Sequence, residues 1–517
     1  AGTNDAAILE RGIQLAIFGQ RYDLAEQMAE ALFEIAPRSS RAAGARTISA
    51  LQLDDLDSAQ AGLNRWLSAD DASPEQVFYE IGEYLQSSVE PAKAVRFTRH
   101  IAQNYPDSYH AQLTSAKLAL SFGVPELALK AAQQARDIKP DRTLPHDLIV
   151  MISSESGDAL GTLDALEQAH QQFPAELRYI SGLIEARISV GENAKAVALL
   201  ENTLNNSIAN PQMLRNFALF ANKLQRMDLA ERALKALAET SGNADAAQLL
   251  RGRFALERKD LPAAELAFSS VSQHAQGYVS AQILLAGVRA DLDQQEKAIE
   301  GLINLAKLPS LDENEHYRAL IALTGFLLEF ERREQALEWL DVALAQWPDD
   351  KDFLMRRAMA YFFTDRSDRA VDDLRRIIEL DEDHAPALNA LGYTLANENR
   401  DLDQAYDYIA RALVIEPNNP AYLDSMGWVK YRMGELESAY EFLSDAFKLE
   451  PNAEIGAHLG KVLWDMGENE AARAIWRRSI ELNRDDQTLR DTIDKNAPEL
   501  WDEPPVSENS GVDTGDY

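Results

Sequence analysis

An alanine returns at a nearly constant interval along almost the whole chain, and this recurrence restricts the possible folds more than any other feature. The series runs Ala25, Ala59, Ala94, Ala128, Thr162, Ala196, Ala230, Ala264, Ala298, Ala336, Ala370, Ala405, Ala439 and Ala472. Nine of its thirteen intervals are 34 residues, and the others are 35, 35, 33 and 38. A unit of this length cannot bury an apolar face alone. Fourteen positions at one period therefore describe supersecondary elements stacked in sequence order.

Each unit reads as a pair of helices. Four residues after the alanine an apolar side chain usually follows, as at Leu234, Phe268, Leu340, Ile409, Leu443 and Trp476, and that spacing places both on one helical face. Ahead of the alanine lies a second helical pattern, clearest near the C-terminus. It reads Leu388, Leu391, Gly392, Leu395, then Ala405, Ile409, Ala412, Pro417; next Leu423, Met426, Gly427, then Ala439, Leu443, Ala446, Pro451; and finally Leu459, Gly460, Leu463, then Ala472 and Trp476. An early copy is Phe78, Ile81, Gly82, Leu85, followed by Ala94 and Pro106. Helix axes approach closely only where side chains are small, so Gly and Ala mark the crossing point and large neighbours fill its flanks. Proline cannot continue a helix, so Lys139-Pro140, Phe173-Pro174, Trp347-Pro348, Glu416-Pro417 and Glu450-Pro451 read as stops. At the position of Gly427 the central units carry Ala116, Val150, Ile184, Ala218, Ala286 and Thr324, which predicts looser or differently angled pairs there. Residues 1–70 keep the spacing without the first-helix signature, and both divergent repeats and plain helices fit them.

Period and signature together resemble the tetratricopeptide repeat. The resemblance implies an all-α fold, an α-α superhelix (solenoid) of about 11 to 14 hairpins. The expected organisation is an N-terminal array of divergent tetratricopeptide repeats over 1–308 and an inter-segment insertion loop at 309–316, where the 38-residue interval falls. Well-formed C-terminal tetratricopeptide repeats then occupy 317–484, a capping helix 485–497, and an acidic disordered tail 498–517.

Composition removes several function classes. With 51 Lys+Arg against 84 Asp+Glu, the formal charge is −33, and such a body repels nucleic acid and anionic lipid surfaces. The absence of cysteine excludes disulfides, thiolate metal sites and thiol catalysis. The longest apolar stretch, Ala319 to Leu328, is about half of a membrane span. The eight histidines are scattered with no paired spacing, and no phosphate loop, nucleophile elbow or dinucleotide fingerprint occurs. Asp349-Asp350-Lys351-Asp352 and Asp381-Glu382-Asp383-His384 lack the spaced oxygens of a calcium loop and suit helix caps at inter-repeat turns. The expectation is a non-enzyme without cofactor or metal.

Binding suits stacked hairpins better, because the first helix of each unit lines a continuous inner surface. The inward positions of the last four repeats carry Met355, Met359, Phe362, Tyr393, Trp428, Tyr431 and Trp464, and six of the seven tryptophans follow residue 330. Exposed aromatic and Met side chains are favoured at binding hot spots, although the same residues could pack between neighbouring helices. The acidic background favours basic or neutral partners. The Lys/Arg clamp that some of these repeats use to hold a terminal carboxylate is missing from the inward positions Met355, Met359, Asn389, Tyr393 and Ser425.

The stretch from Leu388 to about Thr492, with Leu-Gly-Tyr-Thr-Leu-Ala at 391–396 and Ser-Met-Gly-Trp-Val-Lys-Tyr-Arg-Met-Gly at 425–434, resembles tetratricopeptide-repeat lipoproteins of the Gram-negative outer membrane. Among these it is similar to the adaptors of a periplasmic carboxyl-terminal processing protease. That resemblance implies a periplasmic, outer-membrane-anchored adaptor that binds and activates the protease and presents protein substrates such as cell-wall hydrolases to it. It implies no protease-contacting residue. The start at Ala1 without Met is expected to reflect processing that removed any signal or lipid anchor. A scaffold for an envelope assembly or polysaccharide export, and a metal-dependent or catalytic protein, are the alternative readings.

Overall fold

The computed structural model describes residues 5–206 and 208–502. Among the described residues lie twenty-nine α-helices, one short 3-10 helix and no strand. In sequence order the first twenty-eight helices form fourteen pairs, from α1 (Ala6–Phe18) with α2 (Tyr22–Ile35) to α27 (Ala453–Asp465) with α28 (Asn469–Leu482). The first two pairs are thus helix hairpins like the rest. Two compact units divide between Arg251 and Gly252, inside α15 (Ala244–Glu257), so the four-residue insertion lies within the second unit.

All thirteen recurring alanines sit in the first turns of second helices and are buried; Ala230 is 2% exposed and the other twelve are 0%. Against them press the crossing glycines of first helices. A Cβ on Gly392 would lie 2.5 Å from Ile409 Cγ1 and 2.7 Å from the Ala405 carbonyl, and one on Gly427 would lie 2.5 Å from Leu443 Cγ. Gly460 meets the Trp476 indole in the same way, 2.6 Å from Cδ1. The expectation of looser pairs where a larger residue replaces this glycine holds for Val150, Ile184 and Thr324, whose helices approach their partners less extensively. It holds also at Ala286, whose pair is as loose as that of Val150, and is weaker at Ala218; it fails at Ala116, where α7 (Tyr109–Ser121) and α8 (Pro125–Ile138) pack as closely as the pairs of Gly392, Gly427 and Gly460.

The turn inside each hairpin has a single construction. A residue with positive φ follows shortly after the first helix, and the N–H of the next residue reaches back five residues to a carbonyl. Glu435 N donates to Lys430 O at 2.9 Å around Gly434 (φ 84°), and Arg332 N donates to Leu327 O at 2.7 Å around Glu331 (φ 57°). Among the described residues thirteen of the fourteen turns share both features. The exception follows α5 (Pro74–Ser88), where Val89 is extended at φ −116°. There α5 barely touches α6 (Pro91–Asn104) and packs on α7 instead. The left-handed residue therefore folds the second helix back onto the first.

Turns between hairpins follow the prolines. The residues before Pro140, Pro174, Pro348, Pro417 and Pro451 leave the helix at φ between −143° and −125°, since a proline disfavours the helical region for its predecessor. The two acidic clusters are tied up in such turns. Asp350 caps α21 (Lys351–Phe362) and accepts the Tyr317 hydroxyl, while Asp349 takes Arg376. Asp381 pairs with Lys351 at 2.7 Å, and the cap of α23 (Ala385–Asn397) is His384, whose Nδ1 accepts from Ala387 N.

Three boundaries differ from the sequence expectation. The insertion is shorter than 309–316, because Asp312 and Glu315 form a reciprocal capping box that starts α19 (Glu313–Glu329) within it. The expected capping helix is α29 (Gln487–Asn496), whose buried Leu489 and Ile493 cover the end of the stack. Of the segment 498–517, expected to be a disordered tail, Pro498–Trp501 instead form a 3-10 turn with Leu500 buried and the Trp501 indole donating to Asp494, and residues 503–517 lie outside the described residues. No described helix is long and apolar enough to cross a membrane.

This construction separates three substitutions by sign. Gly392→Ala should lower the denaturant midpoint, since overpacking costs about 1–3 kcal/mol against a helix-propensity gain of about 1 kcal/mol. Gly287→Ala, where a Cβ meets nothing within 4 Å, should leave it unchanged or raise it. Lys259→Gly, at an exposed turn residue with φ 59°, should raise it by up to about 1 kcal/mol. Chemical unfolding of the three variants checks the order.

Candidate protein-binding groove

Within the second unit the first helices α21, α23, α25 (Pro420–Arg432) and α27, together with α29, enclose a cavity of about 870 Å³. Successive first helices place equivalent residues side by side on its wall. One row is Met355, Asn389, Asp424 and the next, one helical turn further on, is Met359, Tyr393, Trp428, Lys461. The rows grade from apolar at α21, where Phe362 and Phe363 join the two methionines, to charged at α27 and α29, where Glu454, His458, Asp491 and Lys495 face the same space.

Six of the seven residues singled out from sequence line this cavity: Met355, Met359, Phe362, Tyr393, Trp428 and Tyr431. Met359 is half exposed, while the other five are partly buried, and Met355, Phe362 and Trp428 also rest on the unit's core. The two readings offered for these side chains, inner surface and inter-helix packing, therefore both apply. Trp464 is the exception. Its ring lies 5.5 Å from that of Trp476, with Arg473 over its face, and it is not part of the cavity wall. The 33-residue step before Ala472 puts Lys461 in the row that Trp428 leads.

The aromatic residues form a connected set. Phe362 and Tyr393 are 5.9 Å apart between ring centres, Tyr393 and His458 6.3 Å, Trp428 and His458 4.3 Å in a stack, and Trp428 and Tyr431 4.9 Å. Beneath Trp428, the His458 imidazole is 2% exposed and its Nδ1 lies 2.9 Å and 3.1 Å from the two Asp424 carboxylate oxygens. Asp424 is 6% exposed. The pair joins α25 to α27 across the cavity floor.

Electrostatics in this floor are dominated by carboxylates. Burial opposes a charged His458, but Asp424, reinforced by Glu454 and Asp486, outweighs it and holds the imidazole pKa above its usual value. Glu454 keeps surface open to the cavity, yet loss of solvation raises its pKa, helped by Asp424 and Asp486 and opposed by His458. Its carboxylate accepts a long bond, 3.4 Å, from the Tyr393 hydroxyl. The Tyr393 phenol is pushed well up by burial and by the same carboxylates. Tyr431 rises to about 12, through burial and through its 2.8 Å bond to Asp465.

Sequence reasoning missed Asp424, Glu454, His458 and Asp491. For Asp424 a signal existed, since it stands one turn before Trp428 as Met355 does before Met359 and Asn389 before Tyr393. His458 and Glu454 carry no such mark, and Asp491 enters only because α29 folds over the groove. Lys461 is held by Asp465 at 2.6 Å. Two polar atoms on wall residues, Asn389 Oδ1 and Trp428 Nε1, are buried without a hydrogen-bond partner.

The His458–Asp424 pair gives a signed pH dependence. A folded pKa above the unfolded value of about 6.5 means that protonation stabilises the fold, fully below that pH and progressively less as pH rises through the raised value. The stability gap between the native chain and His458→Gln should thus be widest near pH 6 and narrow towards pH 9. Urea unfolding across that range measures it, and a gap that widens with pH would contradict the assignment.

The family model described as the tetratricopeptide repeat matches residues 352–384 and 455–486, the hairpins at either end of the groove. A TPR repeat-containing protein of Pseudomonas aeruginosa is 30% identical over 223 residues, 42% of this chain and 36% of that protein. The chain therefore spans about a third of the length of this curated relative. Among solved structures, a tetratricopeptide repeat protein from Parabacteroides merdae is 14% identical with a TM-score of 0.42, over 48% of this chain and 97% of that one. The Cut9–Hcn1 hetero-tetramer of the APC/C is 13% identical with a TM-score of 0.35, over 96% of this chain and 91% of that one. Two hairpins of the chain thus match the tetratricopeptide repeat, and thirteen of the fourteen helix pairs among the described residues share one turn construction.

Proposed function

We propose that the protein is a non-catalytic adaptor of the cell envelope, held at the outer membrane as a lipoprotein. It binds and activates a carboxyl-terminal processing protease and presents protein substrates, such as cell-wall hydrolases, to it. The observation that carries the binding reading is the connected wall of Met355, Met359, Phe362, Tyr393, Trp428 and Tyr431 around one cavity. A surface of large, rigid, partly buried side chains loses little conformational entropy when a segment lies on it. The protease and the envelope location rest on the resemblance of residues 388–492, and the similarity to the Pseudomonas protein is compatible with them. An adaptor accelerates proteolysis by holding enzyme and substrate on one scaffold, which raises their effective concentration without new chemistry.

Purified carboxyl-terminal processing protease, assayed on an envelope hydrolase with and without this chain, tests the reading. The chain should raise the rate by about tenfold or more, and Met359→Asp combined with Trp428→Ala should remove most of that gain while circular dichroism stays helical. An unchanged rate with the native chain would contradict the adaptor role.

A further inference from the structure

The groove is two-sided in chemistry. At α21 it is apolar, formed by Met355, Met359, Phe362 and Phe363. At its centre the charges that act most strongly on Tyr393, Glu454 and His458 are the carboxylates Asp424, Glu454 and Asp486, answered by the single imidazole of His458. Three cations line the wall, and two of them are engaged by neighbouring side chains. Lys461 holds Asp465, Arg432 lies over the Trp428 ring at 5.9 Å, and Lys495 stands on α29. A partly desolvated carboxylate whose only hydrogen bond among the described residues is a 3.4 Å contact from Tyr393, set beside aromatic rings, complements a cationic side chain in both charge and ring electrostatics.

Resting on the reading that this cavity receives a polypeptide, we propose that its occupant is an extended segment of a partner protein that sets a Lys or Arg side chain against Glu454, beside Tyr393, and an aliphatic or aromatic side chain two to four residues away on the Met355–Met359–Phe362 shelf. The spacing follows from the rings. Phe362 and His458 flank Tyr393 at 5.9 Å and 6.3 Å, and a strand advances about 3.3 Å per residue. The acidic segment at the end of this chain, with Glu503, Glu508, Asp513 and Asp516, has the wrong sign for the site.

A random dodecapeptide display library selected against the full chain tests this directly. Selected sequences should be enriched in Lys or Arg two to four positions from a large apolar residue. Binding of the best peptide, read by fluorescence anisotropy, should fall about tenfold or more with Glu454→Gln, and likewise when its basic residue is replaced by citrulline or norleucine. Glu454 keeps surface open to the cavity, so Glu454→Gln should fold, with circular dichroism as the control. Peptides that bind the groove with neutral or acidic sequences, displaced by Met359→Asp but indifferent to Glu454→Gln, would overturn the charge assignment and leave the groove as a protein-binding surface. Selection of no peptide sensitive to Met359→Asp would overturn both.

Discussion

Everything in this molecule depends on how closely the two helices of a hairpin approach. The buried alanine of the second helix meets a glycine or small residue of the first, and the larger side chain four residues on closes over that contact, as Ile409 does over Gly392 and Trp476 over Gly460. The left-handed turn residue enforces this approach by reversing the chain within a few residues. Where that turn is missing, after Ser88, the helices separate and the first helix finds another neighbour. Small-residue crossing and turn geometry act together, and repetition of the two makes first helices neighbours of first helices.

The groove is a consequence of that repetition. Because equivalent positions recur at 34 or 35 residues, side chains on α21, α23 and α25 form rows without any long-range design, and changing the residue type along a row changes the chemistry along the cavity. Methionine at α21 gives way to asparagine and tyrosine at α23 and to aspartate and tryptophan at α25. Only the floor needs more than periodicity. His458 and Asp424 are buried as a pair, and a buried pair is costly unless both partners are satisfied, so its position under Trp428 is a specific feature of this stretch of the chain.

Much of this was legible in the sequence. The alanine period bracketed the number of hairpins at about 11 to 14 and located the second helices, the X-Pro steps marked where several of those helices end, and six cavity residues followed from the inward register. What escaped did so for physical reasons. The left-handed turn residue varies among Gly, Asp, Asn, Gln, Lys and Glu, so no single letter marks it, although its own 34-residue spacing would have shown it. Trp464 keeps the register of Tyr431, 33 residues before it, but its ring packs on Trp476 with Arg473 over its face, a contact that the period does not encode. Glu454 and His458 stand four residues apart on α27, and Asp491 joins them only because α29 packs on α27, a contact that no local pattern encodes. Ala116 and Ala286 show the limit of reading packing from residue type, since the same methyl stands in a close pair at one and in a loose pair at the other.

The central claim is that the inner face of the last hairpins, and not their outer surface, receives another polypeptide. Site-specific photo-crosslinking in cells that make the protein tests it most directly, with benzoylphenylalanine placed at Met359 or Tyr431 on the cavity and at Val414, which is 81% exposed and lies outside it. The account predicts discrete protein adducts from positions 359 and 431, suppressed by a groove-binding peptide, and none from 414. Equal adducts at all three positions, or adducts at 414 alone, would contradict it.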